Sequence, residues 1–375
     1  MTISVPAQED GGATILEIGQ QPDVWREVAK RCDPTVAEFL DLITSRLDVR
    51  IILTGAGSSA FAGDIAAPAL RRHLGRRVEA IPTTDIVASP RDYLEPHTPT
   101  LMVSFGRSGN SPESLATTQL ADELVDDIWH LVLTCDADGE LSRTHNGRKN
   151  SRVVWMPERT NDTGFAMTSS LTSMLLTCLR LLGPAAAADG EKLATAAEYV
   201  AVMQPDIRVI AQAKKQRFVY LGSGSLEGLA HESALKMLEL TAGEVVTYFD
   251  SPLGFRHGPK SALDADTLVT VYVSTDPYTR QYDLDIVAEI RAQLGQDAVT
   301  VISTEPIPET HGPAIVLPGL DGSDDALVAL PYLVFAQYLA LFTSLEHGKT
   351  PDNPFPSGEV NRVVQGVTIY PMNGA

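Results

Sequence analysis

Cysteine is scarce in this chain of 375 residues. The three that occur, Cys32, Cys135 and Cys178, are too few for a disulfide framework and have no metal-ligand spacing. A reducing cytoplasm is the setting such a composition implies. Basic charge is short as well: Lys and Arg number 29 against 48 Asp and Glu, a formal charge of −19. That balance excludes broad electrostatic attraction to nucleic acid or an acidic membrane surface, while leaving room for a local positive pocket that takes a small anion. Residues 1–15 carry neither the basic start nor the apolar core of a signal peptide. The apolar run at 166–182 is too short and too rich in hydroxyl groups to span a bilayer, and it contains Arg180. A buried core helix is expected there.

What the chain does hold is an ordinary globular mixture, 44% hydrophobic and 21% charged, with length for two domains. One stretch organises it. Residues 104–114 read Ser-Phe-Gly-Arg-Ser-Gly-Asn-Ser-Pro-Glu-Ser, after an apolar run at 100–103 that suits a buried strand and before a helical stretch at 111–125. A strand-to-helix turn exposes free backbone N–H groups and the positive end of a helix dipole, which suits a phosphate. Arg107 adds charge-assisted hydrogen bonds, and Ser108 and Ser111 add neutral donors. The competing reading makes Ser111 simply the N-cap, with Pro112 at the first helical position. The two roles are compatible, and the loop alone identifies no ligand.

Around this loop strands and helices alternate. Between residues 20 and 47, Trp25, Val28, Val36, Phe39, Leu40 and Ile43 recur at helical spacing around a break at Pro34. Strands are expected near 50–54, 78–82, 99–104, 129–134 and 153–156, with helices near 58–73, 111–125 and 166–182. The pattern then repeats. Residues 52–60 read Ile-Leu-Thr-Gly-Ala-Gly-Ser-Ser-Ala and residues 219–226 read Val-Tyr-Leu-Gly-Ser-Gly-Ser-Leu, each a strand, a Gly-X-Gly-Ser turn and a helix. Further strands are expected near 217–221, 245–248, 268–274, 298–302 and 314–317, and a closing helix near 325–345. The fold class is therefore α/β: two domains of one fold, each a mostly parallel sheet flanked by helices. The division expected is a loose segment at 1–19, a helical preamble and first domain at 20–184, and a helical connector at 185–212. A second domain at 213–346 and a C-terminal tail at 347–375 complete it. Neither glycine turn completes Gly-X-Gly-X-X-Gly in register, so no nicotinamide cofactor is expected, nor any other.

These motifs together resemble the sugar isomerase (SIS) domain family in tandem. The nearest group is that of tagatose-6-phosphate ketose/aldose isomerase, also described as galactosamine-6-phosphate deaminase/isomerase. More distantly the chain is similar to the isomerase half of glucosamine-6-phosphate synthase. The resemblance implies flavodoxin-like domains, a homodimer and sites built across the subunit boundary. It assigns phosphate binding to Ser59, Arg107, Ser108 and Ser111. Thr168 and Ser169 fall in a third matching segment, where they contact substrate or merely cap a helix.

Residues 231–240 read as a helix with Glu232, Lys236 and Glu239 on one face. Spacing alone favours a solvated face bearing one ion pair. The resemblance instead makes Glu239 the enolising base, with Glu232 and Lys236 beside it or on the sugar. Moving a proton between carbon 1 and carbon 2 requires a base, and a carboxylate suits this when partial burial makes it more basic. His257, in a loop of glycines and prolines, matches the histidine that opens the sugar ring from the neighbouring subunit; imidazole titrates near neutrality. No partner set with metal spacing accompanies it, so no metal is expected. Where the synthase carries a Schiff-base lysine before its terminal strand, this chain has Gln365. An amide forms no imine, and no glutaminase segment precedes the first domain. The expected activity is deamination of galactosamine 6-phosphate to tagatose 6-phosphate and ammonia through an enolamine. The alternatives are a plain aldose–ketose isomerase of hexose 6-phosphates and a non-catalytic sugar-phosphate sensor. Against the sensor stand Glu239, His257 and the lack of a leading DNA-binding segment. No nucleic-acid or membrane partner is expected.

Overall fold

The structure, a computed structural model, describes residues 11–364 and 366–372. It opens with α1 (Gly12–Gly19), α2 (Gln21–Lys30) and α3 (Pro34–Thr44). The expected break falls at Pro34. Asp33 accepts from the Thr35 N–H, and the proline takes the first helical position, where no N–H is needed. Residues 12–19 differ from the loose segment expected. Their helix is pinned at its start by the Asp352 carboxylate, which accepts from Ala13 N at 2.7 Å, Thr14 N at 2.8 Å and Thr14 Oγ1 at 2.7 Å. A tether from the far end of the chain leaves no local signature.

The first sheet holds β1 (Arg50–Thr54), β2 (Val78–Ala80), β3 (Thr100–Gly106), β4 (Ile128–Thr134) and β5 (Ser151–Trp155). The second holds β6 (Arg217–Leu221), β7 (Val246–Asp250), β8 (Thr267–Tyr272), β9 (Val299–Ser303) and β10 (Ile315–Val316). All the pairings are parallel. The spatial orders are β2-β1-β3-β4-β5 and β10-β9-β8-β6-β7. Taken from its other edge, the second order repeats the first, so one flavodoxin-like unit occurs twice. β1 and β3 are buried throughout, with Ile51 beside Leu101 and Leu53 beside Val103. Near-continuous apolar strands follow from helices covering both faces.

Helix α4 (Ser58–Leu74) follows β1, and α5 (Thr83–Ala88) and α6 (Pro90–Tyr93) follow β2. After β3, β4 and β5 come α7 (Pro112–Leu124), α8 (Glu140–His145) and α9 (Ser169–Leu182). The connector is a pair, α10 (Asp189–Val202) and α11 (Gln204–Gln212). The second unit adds α12 (Ser225–Leu240), α13 (Pro252–Phe255), α14 (Thr279–Leu294) and α15 (Asp325–Glu346). Helix α9 starts three residues later than its apolar run. The Asp162 carboxylate accepts from Thr168 N at 2.7 Å and Ser170 N at 2.9 Å, holding the preceding segment as an irregular arch. Helix α14 is absent from the sequence reading, because its apolar face is confined to Leu284, Ile286, Val287 and Ile290 among charged neighbours.

Helix α15 is long and apolar enough to cross a membrane, yet that apolar stretch is wholly buried here. It packs on α12, and α12 packs in turn on α4. Gly228 permits that second approach: a Cβ there would lie 2.8 Å from the Ile65 backbone nitrogen. Helix α12 is thus enclosed between the two units, and even its polar residues Glu232 and Lys236 are buried.

Candidate active site

In a sheet ordered 2-1-3, the connections after β1 and β3 run to opposite faces, and a crevice opens between their carboxyl ends. The first glycine turn and the 104–114 loop meet there. Gly57, with φ +56, turns the chain from β1 into α4; Gly109, with φ +63, does the same after β3. Each lies in the left-handed region that favours glycine. Residues 55–59 and 107–111 thus frame a cavity of about 220 Å3, whose lining includes Ser59, Arg107, Ser108 and Ser111. The expected phosphate-loop residues are together.

Arg107 is 6% exposed. Its Nη2 donates to the Arg362 carbonyl at 2.9 Å, while Nε and Nη1 are buried without a partner among the described residues. Burial, and then the nearby Arg362 charge, hold its pKa below the ordinary arginine value, although Asp162 and Glu239 oppose this. Buried donors left unpaired are costly, so the site favours an anion. Ser111 stands at the N-cap of α7, but its hydroxyl makes no capping bond. The side-chain capping bond is not observed, and Ser111 lines the cavity.

Glu239 enters from across the crevice, on α12, with its side chain 26% exposed. The Lys236 ammonium donates to Glu239 Oε2 and lies 3.5 Å from Glu232 Oε1. That second distance is an ion pair rather than a well-formed hydrogen bond, and neither Glu232 oxygen has a well-formed hydrogen-bond partner among the described residues. The solvated face that spacing favoured does not occur: Glu232 and Lys236 have 0% and 1% side-chain exposure, because α4 and α15 enclose their helix. Burial pushes the Glu232 carboxyl up to about 7, with Lys236 pulling the other way. Burial alone would lower Lys236, but Glu232 and Glu239 outweigh it and the net shift is upward. The result is a buried cation holding one glutamate at the cavity wall.

Other expected residues lie elsewhere. Thr168 and Ser169 do not reach the cavity. Their hydroxyls donate to Asp162 Oδ1 at 3.3 and 2.5 Å, fixing the arch before α9, and Met167 fills the wall instead. His257 is exposed on the loop after α13 and is not among the residues around Glu239. Gln365 lies outside the described residues; the tail before it, residues 360–364, forms one wall. Among the described residues no group of three or more His, Cys, Asp or Glu side chains is placed to hold a metal ion. Arg362 was not anticipated. Its only local signal was an arginine between Asn361 and Val363, and no spacing tied it to residue 107.

The equivalent crevice in the second unit is filled from within. Asp283 accepts from Ser223 Oγ at 2.8 Å and Ser274 N at 2.9 Å, and Asp325 accepts from Thr275 N at 2.8 Å. Two carboxylates occupy the donors that an anion would otherwise use.

The SIS domain model matches residues 46–182, the unit that carries the open crevice. An Escherichia coli D-galactosamine-6-phosphate deaminase AgaS is 46% identical, covering 97% of each chain. A Streptomyces coelicolor relative, provisionally named the same deaminase, is 50% identical over 99% of this chain and 98% of its own. The chain belongs to the AgaS group of SIS-domain proteins. Among solved structures, the tagatose-6-phosphate ketose/aldose isomerase of Escherichia coli superposes on this SIS-domain chain with a TM-score of 0.91. It is 42% identical and covers 99% of this chain and 100% of its own.

The buried triad makes a stability prediction. Removing one partner of a buried ion pair typically costs about 3–5 kcal/mol. The folded-state pKa of Glu232 is raised, so its proton is held more tightly in the folded chain. The matching stability is full at low pH and is lost as pH rises through about 7. Lys236→Met should therefore destabilise strongly at about pH 8, where Glu232 is ionised, and much less at about pH 5. Urea unfolding at the two pH values checks this; an equal loss at both would contradict the assignment.

Proposed function

We propose that this protein deaminates D-galactosamine 6-phosphate to tagatose 6-phosphate and ammonia. The observation that carries the reading is one small cavity with the unpaired donors of Arg107 on one side and the Glu239 carboxylate on the other. The names of the AgaS relatives give the substrate. Arg107, Ser59, Ser108 and Ser111 take the 6-phosphate, which fixes the other end of the open sugar near α12. Glu239 removes the carbon 2 proton to give an enolamine and returns a proton to carbon 1. The resulting ketose imine takes up water, and ammonia leaves as the carbonyl forms. Lys236 and Glu232 hold the base in place. No protein imine is on this path, in keeping with Gln365 where the synthase has its lysine.

A homodimer completes the site in this reading. β7 is an edge strand, and Val246, Tyr248 and Phe249 on it are exposed, as are nearby Leu238 and Leu253. Exposed apolar edges of this kind call for a covering partner. A second copy covering that edge would carry His257, just beyond β7, toward its neighbour's cavity. There the imidazole passes the proton that opens the ring.

Glu239→Gln keeps the shape and removes the base, so carbon 2 proton exchange and ammonia release should fall together, by roughly 10²–10⁴-fold. Gln365→Ala should retain deamination. Turnover of tagatose 6-phosphate with its aldose, but no ammonia from galactosamine 6-phosphate, would make the protein a plain isomerase. Binding without either reaction would make it a sensor. The shared site has its own test. Mixing inactive His257→Ala and Glu239→Gln proteins should restore part of the activity once subunits exchange; no recovery after verified exchange would place both residues in one subunit's site.

A further inference from the structure

Arg107 does not face its cavity alone. Arg362, carried by the tail, lines the same space, and after burial its charge is the largest influence holding the Arg107 pKa down. Two cations beside one small cavity repel each other unless an anion lies between them. The Arg362 side chain is seated on backbone carbonyls rather than on acids. Arg362 donates to the Asp162 carbonyl and, at 3.3 Å, to the Thr163 carbonyl, while its own carbonyl accepts from Arg107 at 2.9 Å. Those carbonyls are fixed in turn from α1. The buried Glu17 carboxylate accepts from Thr163 N at 2.5 Å, Thr163 Oγ1 at 2.8 Å and Gly164 N at 3.2 Å. The fit is close: a Cβ on Gly164 would lie 2.6 Å from Thr14 Oγ1 and 2.9 Å from Glu17 Oε2.

We propose that Arg362 is a second phosphate-binding arginine, brought to the pocket by the C-terminal tail and kept in register by Glu17 as a positioning residue. The inference rests on the phosphate reading of the Arg107 loop. A pair of guanidinium groups matches the charge of a phosphomonoester dianion, and each planar fork can meet two of its oxygens. It also gives α1 a role, since its carboxylate sets the two carbonyls on which Arg362 is seated.

Calorimetric titration of inorganic phosphate and of galactosamine 6-phosphate tests this on the full chain, with cooperative melting checked for every variant. Arg362→Ala should weaken both ligands by roughly 10–100-fold and raise KM more than it lowers kcat. Arg362→Lys should recover only part of the loss, and it supplies the reading if the alanine variant fails to fold. Glu17→Gln should weaken phosphate in the parent but not further in the Arg362→Ala background. If both Arg362 variants bind phosphate within about twofold of the parent while Arg107→Ala does not, the proposal is overturned and Arg362 is only a strut. An equal effect of Glu17→Gln in both backgrounds would remove its positioning role. If Arg107→Ala also binds like the parent, the phosphate reading itself fails.

Discussion

Arg107 is buried with two of its nitrogens unpaired, and much of the molecule is arranged to keep it so. β3 delivers it at a strand end, and Gly109, in the left-handed region, turns the backbone into the next helix where a Cβ would lie 3.1 Å from Leu141 Cβ. The tail meets it with a carbonyl rather than a carboxylate. A nearby acid paired to this guanidinium would have satisfied it and closed the site. Among the described residues no acid bonds to it, so two of its donors stay open where a ligand can meet them.

The duplicated unit shows the converse arrangement. Its crevice has the same strand order and a similar glycine turn, yet Asp283 and Asp325 satisfy the local donors. Burial pushes Asp283 up to about 6, so the carboxyl is held there against its desolvation by the donors around it. Two copies of one fold thus diverge at equivalent places. One keeps its donors free, and the other contributes a helix, α12, whose Glu239, held by Lys236, lines the first copy's cavity. Gly228 lets α12 come near enough to α4 for the two to share one site.

The alternation of strands and helices was legible because each element buries its apolar side chains in a regular pattern, as in β1 and β6, whose bounds agree with the sequence reading. The glycine turns and the 104–114 loop were legible for a related reason, since left-handed glycines and a strand-to-helix junction leave strong local signals. What escaped was non-local. The Asp352 tether of α1, the Glu17 grip on residues 163–164 and the place of Arg362 each depend on residues far apart in sequence. Nothing local reveals that Asp162 turns back to bind Thr168 and Ser169. The 231–240 face looked solvated because its burial comes from α4 and α15, not from its own sequence.

A cavity built for an anion should make the substrate's phosphate govern affinity. Calorimetric comparison of D-galactosamine with its 6-phosphate on the unmodified protein tests it most directly. Charge-assisted hydrogen bonds contribute about 1.5–3 kcal/mol each, so two of them predict a preference on the order of 10²-fold or more for the phosphorylated sugar. Equal affinity for the two sugars would mean that the cavity takes no phosphate.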